Sequence, residues 1–402
     1  MINQPDNSRW RILALVILTN LLIIAMPSMG MSVMAKEISQ DLGLNLVQVG
    51  VVWGIGSLPA IITSLLGGVI GDKFGSKRVL IIGSLLAGLL GAGRGLASGF
   101  ASMTVVVVLC GIVLPFVTMN GVKIAGQWFP ARQLGLANGL ISMGMALGFL
   151  LGSLFSATTF SPLLGGWRNV LFVYGLTGAS LSILWLFAPA APECPQPSGQ
   201  SLSMRSAVLH VVRLKNILLL GLMLFGVGGA IQGLLGYLPL YLRGLGWNPL
   251  HADGALSAFH TSSMIFALPI AFWSDRLGAR KRLLLVVVLM VVAGAGLLSF
   301  ARGGLIWLAV LMAGFVRDGM MAIFLTMVIE TEGVGPTYAG TAIGFTLGLS
   351  GIGSVLASPI GNSLAILWPG APFAFWAALA FAGMICLTRV KKEVPGLPAF
   401  GF

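Results

Sequence analysis

Residues 68–78 read Gly-Val-Ile-Gly-Asp-Lys-Phe-Gly-Ser-Lys-Arg and form a short charged elbow between two strongly apolar stretches. Gly68 is small enough for a neighbouring helix to approach closely. Asp72 can accept hydrogen bonds from a helix terminus or pair with a cation across a helix bundle, and Gly75 permits the reversal of the chain. The two cations that follow are typical of a cytoplasmic loop. The stretch therefore predicts a hairpin of two membrane helices, which by itself fits an ordinary basic hairpin as well as a signature loop.

A second copy of the elbow indicates an internal duplication. Four residues repeat an earlier spacing after 203 positions: Asp275, Gly278, Arg280 and Lys281 follow the order of Asp72, Gly75, Lys77 and Arg78. The segments 135–139 and 340–344 give a displacement of 205 residues, and Gly148 and Gly353 keep that register. Gly68 itself is replaced by Ala271, so the later elbow is the more degenerate copy.

The composition is that of a membrane protein. Of the 402 residues, 57% are hydrophobic and only 8% are charged, which is too few for the surface of a soluble domain. Apolar runs of about 20 residues, long enough to cross a hydrocarbon core of ~30 Å, recur along the whole length. No separate soluble domain is expected.

The distribution of cations predicts the topology. Sixteen Lys and Arg residues fall on one side of the predicted spans and five on the other, while Lys123 and Arg317 fall within helices. The richer side is the cytoplasm, so both termini are expected there. We predict an all-α membrane protein of twelve transmembrane helices in two six-helix halves, residues 1–188 and 214–402, joined by a Pro- and Ser-rich cytoplasmic linker over 189–213.

Several other classes of function are disfavoured. The net charge of +12 resides at helix ends and not on a basic arm, so nucleic acid is not an expected partner. The three cysteines, Cys110, Cys194 and Cys386, lack the spacing of metal ligands, and no phosphate-binding loop is present. We therefore expect no metal, no cofactor, no ATP-driven pump and no enzyme.

Arg317 and Asp318 are the leading candidates for function. Counted from Leu305 at ~1.5 Å per residue, Arg317 lies about 18 Å into helix 10, close to the middle of the bilayer. Ionisable groups at that depth carry a cost and are functional candidates. Arg317 would attract an anion, and Asp318, the one carboxylate predicted so deep, would carry a coupling proton. The alternative is a buried ion pair that fixes helix 10 to another helix.

Five further polar residues are functional candidates, and each could instead have a purely structural role. Asn120 and Lys123 lie in helix 4, although Lys123 could snorkel to the inner surface. Gln232 lies near the centre of the Gly-rich helix 7. Asn20 in helix 1 is a substrate-binding candidate and His260 in helix 8 a proton-relay candidate. A single polar residue of this kind is more often a helix-packing contact.

The two elbows resemble the signature loop of the major facilitator superfamily, and the resemblance covers nearly the whole chain. It implies a substrate site at mid-membrane between two halves that alternate its access. Helices 1, 4, 7 and 10 would line the cavity, and the elbows would contribute to gating through Gly68, Asp72, Gly75, Lys77, Arg78, Asp275, Gly278, Arg280 and Lys281. The segment 127–132 resembles cyanate and monocarboxylate-type permeases and the haem or choline carriers. Nitrate is disfavoured because neither predicted helix 2 nor helix 8 contains an arginine.

The sequence thus predicts a secondary active transporter in the cytoplasmic membrane. We expect it to move a small organic or inorganic anion by alternating access, as a proton symporter and as a monomer. Efflux of lipophilic or cationic compounds is the main alternative within transport. A solute sensor or a lipid scramblase on the same fold is the alternative outside it.

Overall fold

The computed structural model describes residues 7–189, 204–277, 280–315 and 317–391, which form helices and no strand. The first six membrane helices are α1 (Asn7–Thr19, Asn20–Ala25 and Met26–Val33), α2 (Leu46–Gly54 and Ser57–Phe74), α3 (Ser76–Gly93), α4 (Phe100–Trp128), α5 (Ala131–Phe155, Ser156–Phe160 and Ser161–Leu164) and α6 (Trp167–Phe187). The other six are α7 (Lys215–Gly244), α8 (Pro249–Leu277), α9 (Arg280–Leu298), α10 (Leu305–Gly314 and Arg317–Glu330), α11 (Gly335–Ser363) and α12 (Ala371–Arg389).

These helices match the predicted membrane spans in number and order. Eleven stretches of the described residues are long and apolar enough to cross a membrane. The remaining helix, α8, has 29 residues and lies where the eighth span is predicted. Two shorter helices lie outside the spans, Ala35–Leu42 after α1 and Met204–Arg213 before α7. The second of these forms the end of the predicted linker.

The chain folds into two compact units. Among the described residues, the first unit comprises 7–43 and 62–189, and the second comprises 44–61 and the residues from 204 to 391. The initial segment of α2, Leu46–Gly54, therefore belongs to the second unit. Each unit contains its own hydrophobic core, built from the inward faces of its helices.

A close glycine contact recurs in both units, as the internal duplication predicts. In the first unit, a Cβ on Gly148 of α5 would lie 3.0 Å from the Leu21 Cα of α1. In the second unit, a Cβ on Gly353 of α11 would lie 2.2 Å from the Phe225 carbonyl oxygen of α7. Backbones approach this closely only where one partner has no side chain. The two glycines therefore have the same role 205 residues apart.

The elbow lysines also have equivalent roles. Lys77 Nζ donates to two backbone carbonyls at the end of α6, at 3.1 and 2.5 Å. Lys281 Nζ donates to two carbonyls at the end of α12, at 2.9 and 2.5 Å. Both lysines thus bond carbonyls that the helix itself leaves unbonded. By role, Lys281 and not Arg280 corresponds to Lys77, so the register of this pair is 204 residues where the sequence spacing predicts 203.

Candidate functional site

Helix α10 departs from regular α-helical hydrogen bonding at Phe315, whose backbone N–H donates to the Met312 carbonyl at 3.3 Å. The described residues on either side are helical, over Leu305–Gly314 and Arg317–Glu330. Just before the turn, a Cβ on Gly314 would lie 2.4 Å from the Phe259 carbonyl oxygen of α8. The partly exposed Arg317 therefore carries a full positive charge two residues beyond this tightened turn.

Helix α8 packs directly against this turn. Ser262 Oγ donates to the Leu311 carbonyl at 3.1 Å, and the rings of Phe266 and Phe315 lie 4.2 Å apart. His260 on α8 is 1% exposed, and α8 packs against both described segments of α10. The structure thus places two candidate residues, from helices 8 and 10, on helices that pack together. We call Arg317 and His260, with the turn at Phe315, the α8–α10 site.

Asp318 occupies the second position of the second α10 segment. Its side chain lies outside the part of the chain that the structure describes. Whether it carries a proton or forms a structural ion pair stays a prediction.

Gln232 lies against the initial segment of α2. Its backbone carbonyl accepts the Trp53 indole N–H at 2.7 Å, and its Nε2 donates to the Trp53 carbonyl at 3.5 Å. One turn later, a Cβ on Gly236 would lie 2.4 Å from the Trp53 ring. The hydrogen bonds described for Gln232 therefore join it to Trp53 and not to the α8–α10 site.

Asn120 and Lys123 join α4 to the first elbow. Asn120 is fully buried, and its Nδ2 donates to the Gly67 carbonyl of α2 at 3.0 Å. Its Oδ1 lies 1.9 Å from the position that a Cβ on Gly71 would occupy. Lys123 forms an ion pair with Asp72. In this conformation both candidates contact the protein itself, which fits the packing alternative for Asn120 and gives Lys123 a partner that the sequence did not reveal.

Asn20 begins a π-helical segment of α1, Asn20–Ala25. The residue is 3% exposed, and its Nδ2 donates to the Val16 carbonyl at 3.0 Å. π-Helical segments inside α-helices are frequent at functional sites. The sequence predicted a polar residue in helix 1 but not this local widening, for which a single asparagine gives no signal.

The elbows differ in how much of them the structure describes. Gly75 has a φ of +85°, which explains the need for glycine at the first reversal. Gly68 lies within α2, but its surroundings are outside the described part of the chain, and Arg78 is exposed at the start of α3. In the second elbow, Gly278 and the Asp275 side chain are likewise outside it. Arg280 forms an ion pair with Glu330 at the end of α10.

A buried ion pair that the sequence did not predict joins α7 to α8. Arg243 near the end of α7 and Asp253 in α8 share two hydrogen bonds of 2.8 Å, and their side chains are 7% and 0% exposed. A possible signal was the presence of an arginine and an aspartate within one predicted loop. The pair connects the two helices of this hairpin.

The comparisons with known proteins identify a family. The model of the Major Facilitator Superfamily matches residues 14–358. The chain is 26% identical to a 3-(3-hydroxy-phenyl)propionate transporter of Escherichia coli, with 90% of each chain covered. It is 24% identical to a gallate transporter of Pseudomonas putida, over 86% of this chain and 83% of the relative. A probable nitrate/nitrite antiporter of Thermus thermophilus is 25% identical over 85% of this chain and 82% of its own.

Solved structures show the same fold. A mutant of the nucleoside transporter NupG superposes with a TM-score of 0.78 at 15% identity, covering 95% of this chain and all of that one. An inward-facing bacterial homologue of the lysosomal transporter Spinster gives a TM-score of 0.73 at 15% identity, covering 96% and 95%. Together with the family match over most of its length, this shows that the chain belongs to the Major Facilitator Superfamily and is a multi-span secondary transporter of small solutes, not an enzyme.

Proposed function

We propose that the transported solute is a small organic or inorganic anion and that Arg317 provides its main electrostatic attraction. The observation that carries this proposal is the position of Arg317, a partly exposed cation within the membrane-spanning helix α10, two residues after the turn at Phe315. Charged residues inside membrane spans mark the pathways of substrates and ions. The guanidinium adds a fork of donors that matches a carboxylate in two places.

The names of the relatives support an anion. Hydroxyphenylpropionate and gallate are aromatic carboxylates, and the third relative is described as exchanging nitrate and nitrite. A carboxylate is the better match here, because among the described side chains α2 has no arginine before the elbow and α8 has none in its middle. No observation in the described residues favours efflux of cations, sensing or lipid scrambling.

We further propose that transport is proton-coupled, with Asp318 as the carrier and His260 as a relay. Coupling requires that proton and substrate together bind one access state better than the other, since equal binding shifts no equilibrium. Asp318 directly follows Arg317, the residue proposed to bind the substrate. Protonation of Asp318 can therefore change the affinity of the site for the substrate. Asn20, Asn120, Lys123 and Gln232 are proposed as further contacts in a state where their present hydrogen bonds are exchanged.

The topology and assembly are also proposals. The excess of Lys and Arg on one side supports cytoplasmic termini in the cytoplasmic membrane. We propose that 1–188 and 214–402 act as two alternating halves around the linker 189–213, with the elbows stabilising one access state. The protein is proposed to function as a monomer without nucleic acid partners, because one chain already contains both halves of the duplication.

The proposed role of Arg317 is tested by ligand-dependent stabilisation and by uptake. At 100 times its dissociation constant, a bound anion stabilises the wild-type protein by about 2.7 kcal/mol. Arg317→Gln should abolish this stabilisation and anion uptake, while Arg389→Gln, which removes an exposed cation at the end of α12, should change neither. Unchanged anion affinity in Arg317→Gln would overturn the proposal.

Proton coupling is tested separately in proteoliposomes. Asp318→Asn should lose accumulation driven by a pH gradient and keep exchange of labelled for unlabelled substrate, because exchange needs no net proton movement. His260→Gln should slow the driven mode more than the exchange mode. Gradient-driven accumulation at the wild-type rate in Asp318→Asn would exclude Asp318 as the carrier.

A further inference from the structure

A separate cavity, open to the solvent, lies at the loops that join α7 to α8 and α9 to α10. It has a volume of about 510 Å³ and is lined by Gly246, Trp247, Asn248, His251, Gly303 and Trp307. This volume is within the range of pockets that hold small organic ligands, about 300–1,000 Å³. Gly246 and Gly303 have φ values of +84° and +55°, so both loops turn sharply at its edge. The Trp307 ring also lies 3.6 Å from the position of a Cβ on Gly254, so a small residue of α8 adjoins the indole.

Two indoles form the apolar wall of this cavity. The ring centroids of Trp247 and Trp307 lie 6.0 Å apart, with an angle of 36° between their planes. Both side chains are half-buried, so each ring keeps part of its surface accessible. The accessible surface of either indole can stack against a planar ring, and aromatic contacts of this kind add about 0.5–1.5 kcal/mol beyond the burial of apolar area.

The polar part of the cavity favours an anion. Its lining contains no acidic residue, and the nearest acid along α8, Asp253, is already paired with Arg243. The exposed His251 imidazole and the Asn248 amide can both donate hydrogen bonds. Asn248 also fixes the loop, because its Oδ1 accepts the backbone N–H of His251 at 2.8 Å. Exposed Arg302 directly precedes the lining residue Gly303 and adds a positive charge to the rim.

We propose that this cavity is an accessory binding site for aromatic carboxylates. The ring stacks on Trp247 or Trp307, and the carboxylate accepts hydrogen bonds from Asn248 and His251. The site is distinct from the α8–α10 site, because Trp307 precedes Arg317 by ten residues, or about 15 Å along a helix axis. Its ligand class rests on the proposed anion transport, and its role would be to concentrate substrate at one end of the transport route.

The site is tested by equilibrium binding of labelled 3-(3-hydroxyphenyl)propionate to the purified full-length chain. The wild-type protein should bind two equivalents. Trp247→Leu combined with Trp307→Leu should bind one, and that remaining equivalent shows that the variant is folded. Arg317→Gln should also bind one equivalent. Trp368→Leu removes an exposed tryptophan outside the cavity and should still bind two.

The outcomes separate this inference from the proposed function. One equivalent in the wild type that is lost in Arg317→Gln and unaffected by the Trp247 and Trp307 substitutions overturns the accessory site and leaves anion transport intact. One equivalent that depends on the two tryptophans and not on Arg317 supports the cavity and contradicts the role of Arg317. No binding to the wild type overturns the accessory site, whereas uptake of a non-aromatic anion would still support transport. In uptake assays, the double tryptophan variant should raise KM about three- to tenfold with kcat unchanged.

Discussion

The buried pair of Arg243 and Asp253 should respond sharply to loss of one charge. Both side chains are almost fully buried and share two hydrogen bonds of 2.8 Å. Asp253→Asn leaves the guanidinium buried without its counter-charge, and breaking such a pair costs about 3–5 kcal/mol of unfolding free energy. Replacing both partners by apolar residues of similar volume, Arg243→Met with Asp253→Leu, removes the charge and its desolvation cost together. The double variant should therefore lie within about 1 kcal/mol of the wild type or be more stable.

The assay is equilibrium unfolding in mixed detergent micelles, arranged as a double-mutant cycle. Both single variants should unfold at much lower denaturant than the wild type, and the double variant should recover. The matched control is Asp41→Asn, which weakens the exposed pair of Asp41 with Arg168, where the side chains are 47% and 39% accessible. An exposed pair contributes about 0–1 kcal/mol. The reasoning is refuted if Asp253→Asn costs no more than Asp41→Asn, or if the double variant shows the simple sum of two large losses.

Two further predictions concern the duplicated contacts. Gly353→Ala places a methyl group against the Phe225 carbonyl and should destabilise the protein by about 1–3 kcal/mol, whereas Gly340→Ala, in the same helix with nothing within 4 Å, should have no such cost; equal unfolding free energies for the two variants would contradict the packing argument. Lys77→Met and Lys281→Met should each lose about 1.5–3 kcal/mol, since each lysine donates two charge-assisted bonds to helix carbonyls. Comparable losses in thermal unfolding are expected, and an effect confined to one lysine would show that the two elbows are not equivalent.

The membrane architecture could be predicted because it follows from composition and spacing. A bilayer admits only segments that satisfy their own backbone hydrogen bonds, so long apolar runs must be helices. The residue spacing from Asp72 to Arg78 then indicated a hairpin like the signature loop of the major facilitator superfamily. The repeat of that spacing indicated the internal duplication. The offset of 205 residues between Gly148 and Gly353 could also be read from the sequence. A close contact between two helices requires glycine at one definite position, so the duplication keeps that glycine.

The tightened turn of α10 at Phe315 could not be predicted from periodicity. The segment around Arg317 contains no proline and remains strongly apolar, so its sequence predicts a regular helix. The turn directly follows a tertiary contact, the close approach of Gly314 to the α8 backbone at Phe259. The same limit explains the missed ion pair. The apolar pattern predicts helix 8 only from about Ala255, which places Asp253 in a loop, whereas α8 already begins at Pro249.

The elbow ion pairs show what the duplication has kept and what it has changed. In the first unit the elbow supplies the acid, Asp72, and helix α4 supplies the base, Lys123. In the second unit the elbow supplies the base, Arg280, and the second segment of α10 supplies the acid, Glu330. The elbow thus pairs with the fourth helix of its half in both copies, but from different elbow positions, because Asp72 precedes the reversal and Arg280 follows it. By spacing, the counterpart of Asp72 is Asp275, so the two ion pairs are not one contact with exchanged charges. All four side chains are partly exposed, and each pair contributes no more than about 1 kcal/mol. What the two copies share is therefore a weak ionic contact between the elbow and the fourth helix, and not the residue positions that form it.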